Sequence, residues 1–212
     1  PVEYKIPGIN QVSVNEKIGL DFSKILRSIL RQDPDIIMIG EVRDNETAQI
    51  AIRAAITGHL VLTTLHTKDA ISSIVRLRDL GIEDYLIRSA LSLLASQRLV
   101  RKLCSCKVKS KMTDKEYEFV SHFRSIPRNY EIYRPKGCDR CNNGYLGREA
   151  IEEVIVIDRE FREILRDKEN FTQRVREKLE KENFKSLAAN AVDKVINGVT
   201  SFEEINKVLD FE

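Results

Sequence analysis

The sequence predicts an α/β fold, and three observations carry that prediction. Residues 36–39, Ile-Ile-Met-Ile, form a short apolar run rich in β-branched side chains, the pattern of a parallel strand buried on both faces. A second apolar run follows at 60–65, and the stretch between them, 45–57, has helical periodicity closed by Gly58. Strand, helix and strand in that order imply a right-handed crossover between parallel neighbours.

The remaining elements follow from the same periodicities. Alternation of Ile9, Gln11, Val12 and Val14 predicts a short strand at 9–14, and Phe22, Ile25, Leu26, Ile29 and Leu30 predict a helix over 21–32, stopped by Pro34. Further helices are expected at 69–80 and 84–99, the second presenting Leu86, Ile87, Ala90, Leu91 and Leu94 to the sheet. Between 100 and 148 the apolar density drops, Lys and Arg cluster, and all four cysteines occur. Within that stretch Thr113 and Glu116 have capping-box spacing and predict a helix start. Residues 149–157 read as another strand, followed by amphipathic helices at 159–166, 171–181, 185–196 and 202–209. The expected organisation is therefore an α/β portion over 1–99, a cysteine-framed insert over 100–148 and a helical portion over 149–212.

Composition excludes several classes. The 35 Lys and Arg nearly cancel the 33 Asp and Glu, so no overall field directs the chain to nucleic acid. Lys102, Lys107, Lys109 and Lys111 lack the interleaved aromatics of a single-strand binder and read as a solvated face. No run approaches the roughly 20 apolar residues needed to span a bilayer, and no signal peptide opens the sequence, so a cytoplasmic location is expected. The opening Pro1-Val2-Glu3-Tyr4 has neither an initiator Met nor a helix start, and reads as a cut from something longer.

Two strand ends carry candidate chemistry. The 36–39 run ends in Gly40-Glu41, which puts a carboxylate at the carboxyl edge of the sheet, where ligands bind in open α/β folds. A carboxylate there can order a Mg²⁺-bound water or polarise the water that attacks a γ-phosphate; it can equally be an ordinary acidic loop residue. The second run is bracketed by His59 and His66, with Thr63 and Thr64 between them. A parallel pairing brings His66 to the same edge as Glu41, where an imidazole can hydrogen-bond a phosphate or transmit its loss. His122 has no such neighbour and reads as a surface residue.

Cys104-Ser105-Cys106 and Cys138-Asp139-Arg140-Cys141 supply four soft ligands, enough for a closed tetrahedral Zn²⁺ site of structural type. Free thiols are the other reading. Such a site would pin an insert too small to own a substantial core.

These residues bring a family into view. Leu30-Arg31-Gln32-Asp33-Pro34-Asp35 with 36–44, followed by 58–67, resembles the Walker B and histidine boxes of the type II secretion and type IV pilus assembly ATPases. Pro1-Val2-Glu3-Tyr4 resembles the tail of that family's aspartate box, Gln97-Arg98-Leu99-Val100-Arg101 resembles the run before its metal-binding insert, and 137–148 resembles its zinc knuckle. The resemblance implies the C-terminal part of a RecA-like P-loop NTPase core with a zinc-binding insert and a helical C-terminal subdomain. It also implies a homo-hexameric motor that uses ATP and Mg²⁺ at the cytoplasmic face of the inner membrane, with secretion or pilus platform proteins as partners. By the same carry-over Glu41 and Glu3 are catalytic, Arg43 is a charge partner of Glu41, and His59, Thr64 and His66 belong to the phosphate-sensing strand. Arg43 also reads as a surface ion-pair member of little energetic weight.

Two departures bear on function. No Gly-x-x-x-x-Gly-Lys-Ser/Thr occurs among the nine glycines, so no phosphate cradle is present and the chain alone is expected neither to bind ATP tightly nor to hydrolyse it. The first knuckle is Cys-x-Cys where the family usually has Cys-x-x-Cys. Two alternatives stand beside the motor: a zinc-dependent nucleic-acid-binding protein and a catalytically inactive scaffold, both on an α/β fold. The cysteine insert favours an assembly or secretion ATPase over a retraction ATPase, which by resemblance lacks the zinc region.

Overall fold

The structure, a computed structural model, describes residues 2–167 and 169–209 and is α/β. It divides into two compact units, residues 1–94 with 155–178 and residues 95–154 with 179–212.

The first unit is built around a parallel strand pair. Strand β1 (Ile36–Ile39) pairs with β2 (Leu60–Thr63) in the register Ile36 to Leu60 and Ile39 to Thr63. Helix α1 (Phe22–Ile29) is capped by Asp21, whose side chain accepts the Lys24 N–H, and packs on α2 (Asn45–Ile56). Helix α2 starts at Asp44, which accepts both the N–H and the hydroxyl of Thr47. It ends in a Schellman motif: Gly58 adopts φ +112°, its N–H donates to Ala55 O, and the His59 N–H donates to Ala54 O. One face of the strand pair buries Ile37 and Ile39 against Leu26, Ala48, Ala51, Ile52 and Ile87. The other presents Ile36, Met38, Leu60 and Leu62, with Met38 72% exposed, so the strand expected to be buried on both faces is buried on one: among the described residues, helices of this unit cover only that side.

Helices α3 (Ser72–Asp79) and α4 (Asp84–Ala90) follow. The helix expected over 84–99 is only half right. At Leu91 the backbone turns extended (φ −73°, ψ 129°), and Leu93–Leu103 is strand β3, burying Leu94, Ser96 and Val100 in alternation. The misreading has a local cause: Leu91 and Leu94 satisfy helical spacing, while the alternation includes Ser96, which apolarity does not mark. The strand expected at 9–14 is also absent. Ile9 and Val12 are exposed and no neighbouring strand satisfies their backbone groups among the described residues. Helices α6 (Arg159–Ile164) and α7 (Phe171–Lys181) bury Phe161, Ile164, Phe171 and Val175.

In the second unit β3 pairs with β6 (Tyr145–Val156), longer than the 149–157 expected, and β4 (Val108–Lys111) pairs antiparallel with β5 (Glu131–Arg134). Helix α5 (Asp114–Phe123) opens on the complete Thr113–Glu116 capping box. Val100, Ile132 and Ile151 from the strands, with Leu187, Ala191 and Val195 of α8 (Leu187–Ile196) and Ile205 of α9 (Phe202–Leu209), form its core. Arg101 holds Glu204 through two guanidinium hydrogen bonds and its backbone N–H, while its guanidinium stacks 4.1 Å from the Tyr145 ring centroid.

Candidate functional site

The parallel register of β1 and β2 places their carboxyl ends side by side, and the polar residues after each strand meet there. Glu41, two residues past β1, keeps only 12% of its side chain exposed. Its Oε1 lies 2.5 Å from an Arg43 Nη, and its Oε2 lies 3.2 Å from Nε2 of His66. The Arg43 hydrogen bond holds the Glu41 carboxyl below the ordinary glutamate value; partial burial opposes this and His66 adds to it. A carboxylate so placed stays ionised at neutral pH and can accept a proton or orient a water.

Thr64 binds the two strand ends together. Its hydroxyl donates to the Gly40 carbonyl at 2.5 Å, and its carbonyl accepts the Val42 N–H at 3.2 Å. His66 is 88% exposed, reaching Glu41 from solvent.

His59 is brought elsewhere. It precedes β2 and lies at the opposite end of the strand, where its Nδ1 stands 2.9 Å from the Ala54 carbonyl. A carbonyl only accepts, so that nitrogen carries the proton and the ring closes the end of α2. Glu3 is exposed and makes no hydrogen bond or ion pair among the described residues, and Pro1, which begins the expected aspartate-box tail, lies outside them. The structure therefore joins Glu41, Arg43, Thr64 and His66, and leaves His59 and Glu3 apart from them.

The cysteines form a second cluster in the other unit. All four sulfurs lie within 4.8 Å of one another. The 104–138 and 106–141 pairs are 3.9 Å apart and the 138–141 pair 3.6 Å. Thiolates on one tetrahedral Zn²⁺, with bonds of about 2.3 Å, stand about 3.8 Å apart, so the donor set fits this metal in kind, number and spacing. The shorter Cys-x-Cys loop does not prevent this, because Cys104 leaves β3 in a tight turn in which the Lys107 N–H donates to its carbonyl. The Cys106 N–H lowers the Cys104 thiol to about 6, whereas burial raises Cys106 to about 11. On the second knuckle the Cys138 N–H donates to the Cys141 sulfur at 3.2 Å.

Sequence reading passed over one supporting feature. Asn143 and Gly144 both take positive φ, 49° and 86°, and Asn142 and Tyr145 exchange backbone hydrogen bonds, the geometry of a type I′ hairpin turn. The Asn-Gly dipeptide is its signal. The turn aims the Gly144 carbonyl at the Cys104 N–H, 2.8 Å away, and so ties the two knuckles together.

These features define an α/β protein with a carboxylate at the carboxyl edge of a parallel strand pair and a four-cysteine arrangement suited to a metal. Comparison with known proteins then places it: residues 1–207 match the type II/IV secretion system protein family, and the chain belongs to that family. It is 43% identical over 210 residues to the type II secretion system protein E of Aeromonas hydrophila, covering 98% of this chain and 41% of that protein. It is 44% identical over 207 residues to the type IV pilus assembly ATPase PilB of Thermus thermophilus, covering 97% of this chain and 23% of that protein. Among solved structures, the ATPase DotB of Legionella pneumophila matches 98% of this chain and 48% of its own length, with a TM-score of 0.65 and 25% identity. The chain thus spans less than half the length of each of these relatives. Among the described residues no helix is long and apolar enough to cross a membrane.

Proposed function

We propose that this chain is the water-activating side of the nucleotide site in a secretion or pilus-assembly ATPase, the C-terminal part of a RecA-like P-loop core. The observation that supports this best is Glu41, shielded and ionised at the strand edge with His66 across from it. In this reading Glu41 orients the water, or a water on Mg²⁺, that attacks the γ-phosphate of ATP, and His66 senses the phosphate beyond it. Arg43 keeps Glu41 charged. The aspartate-box role of Glu3 and the sensor-strand role of His59 rest on the family resemblance alone.

Residues 1–99 supply this part of the core, 100–148 the metal-binding insert and 149–212 the helical subdomain. Cys104, Cys106, Cys138 and Cys141 hold one Zn²⁺, which when bound supplies a cross-link between the two knuckles and no chemistry. The assembly is a homo-hexamer at the cytoplasmic face of the inner membrane, working on secretion or pilus platform proteins. Relatives named for type II secretion and for type IV pilus assembly, one called an ATPase, support this reading.

The test is ATP hydrolysis by the longest natural protein that contains this chain. Glu41→Gln is expected to lower kcat by about 10²-fold or more while leaving nucleotide binding in place. Unchanged turnover in that variant overturns the assignment. The 212-residue chain assayed alone is expected to show no turnover, because it has no phosphate loop.

A further inference from the structure

We infer that Thr64 is a positioning residue that clasps the turn carrying Glu41, and does not read the phosphate. This rests on the reading of Glu41 proposed above. Thr64 ties the residues on either side of Glu41: its hydroxyl donates to the carbonyl of Gly40, and its carbonyl accepts the N–H of Val42. A threonine hydroxyl has one proton to donate, and here it goes to a backbone acceptor. Val42 is buried in the core of its unit and Gly40 directly follows β1, so the clasp fixes both flanks of a three-residue turn. Glu41, held at both flanks, then directs one carboxylate oxygen to Arg43 and the other to His66.

The same strand end thus carries two jobs. His66, two residues beyond Thr64, faces the carboxylate, while Thr64 holds the backbone from which that carboxylate projects. A shift of the end of β2 would be passed directly to Glu41 through Thr64. Gly40 has open space where a Cβ would stand, so no packing holds the turn on that side.

The clasp is tested by Thr64→Val, which keeps the branched shape and removes the proton, with Thr64→Ser as the variant that restores it. In the 212-residue chain the Glu41 carboxyl is titrated by its side-chain ¹³C signal. The midpoint is expected to rise toward the ordinary glutamate range in Thr64→Val and to match the parent in Thr64→Ser; an unchanged midpoint in a folded Thr64→Val overturns the clasp. If Thr64→Val does not fold, as read by circular dichroism, Thr64→Ala is titrated in its place, with the same two outcomes.

In the longest natural protein, Thr64→Val is expected to lower kcat about tenfold with KM for ATP unchanged, the loss of about 1.4 kcal/mol of transition-state positioning. A raised KM with unchanged kcat would mean that Thr64 contacts the nucleotide, and also overturns the clasp. If Glu41→Gln hydrolyses ATP normally while Thr64→Val still moves the Glu41 midpoint, the clasp stands and the catalytic assignment of Glu41 falls.

Discussion

Nε2 of His66 lies 3.2 Å from Oε2 of Glu41, although 25 positions of sequence separate the two residues. A parallel register of four residue pairs is what closes that gap. Each strand is followed by a short turn, and equal progress along two parallel strands delivers both turns to one edge.

Arg43 is the other partner of Glu41, and its removal has a signed consequence. The Glu41 carboxyl is depressed, so its contribution to native stability is complete above the ordinary glutamate range and is lost as pH falls through the lower, folded midpoint. Arg43→Gln is expected to raise that midpoint and to move the loss to higher pH. Carboxyl ¹³C titration of Glu41 checks it, and a midpoint unmoved by Arg43→Gln would contradict the ion pair as its main cause.

The four sulfurs should hold one zinc per chain in protein kept reduced throughout purification, measured by elemental analysis. Replacement by Co²⁺ is expected to give the visible bands of a tetrahedral thiolate site, and Cys138→Ser to weaken them. Metal at about 1,000 times its Kd would add about 4 kcal/mol to the stability of the folded unit, so chelation should lower its melting temperature.

Gly144 cannot accept a side chain at this turn. Its φ is +86°, and an added Cβ would stand 2.5 Å from the Pro135 Cβ and 2.8 Å from its Cα. Gly144→Ala is therefore expected to cost about 1–3 kcal/mol and to weaken metal binding, since the Gly144 carbonyl holds Cys104. Thermal melts with and without chelator separate the two effects.

In the second unit the Arg101–Glu204 pair offers a test by single substitution. Burial works against the Glu204 charge, but the Arg101 guanidinium and N–H outweigh it and keep the carboxyl depressed. Glu204→Ala removes the partner of three donors and is expected to destabilise by about 2–4 kcal/mol in denaturant titration. In the parent the contribution of this pair fades as pH falls below the ordinary glutamate range.

How far the fold could be read from sequence depended on whether the signal was local. The position of β1, the Gly58 stop and the Thr113–Glu116 box all act within a few residues, and each stands where the pattern put it, although β1 buries only one of its faces. Strand β3 did not read correctly because its alternation includes a buried Ser96. The 9–14 stretch failed for another reason: alternation is a condition for a strand, but a partner for its backbone groups decides it. At the candidate site the two strand-edge motifs foretold the meeting of Glu41 and His66. They could not show that His59, in the same motif, caps a helix at the far end, because a histidine carries no mark of which carbonyl it will reach.

Metal bound at the cysteine cluster would also change the electrical character of the whole chain. The polypeptide has a formal charge of +2 at pH 7 with its cysteines counted as neutral. Four thiolates around one dication contribute a net charge of minus two, which brings the metal-loaded chain close to zero. Loading should therefore move the protein toward its isoelectric point at neutral pH and lower its colloidal solubility there, visible as an acidic shift in isoelectric focusing.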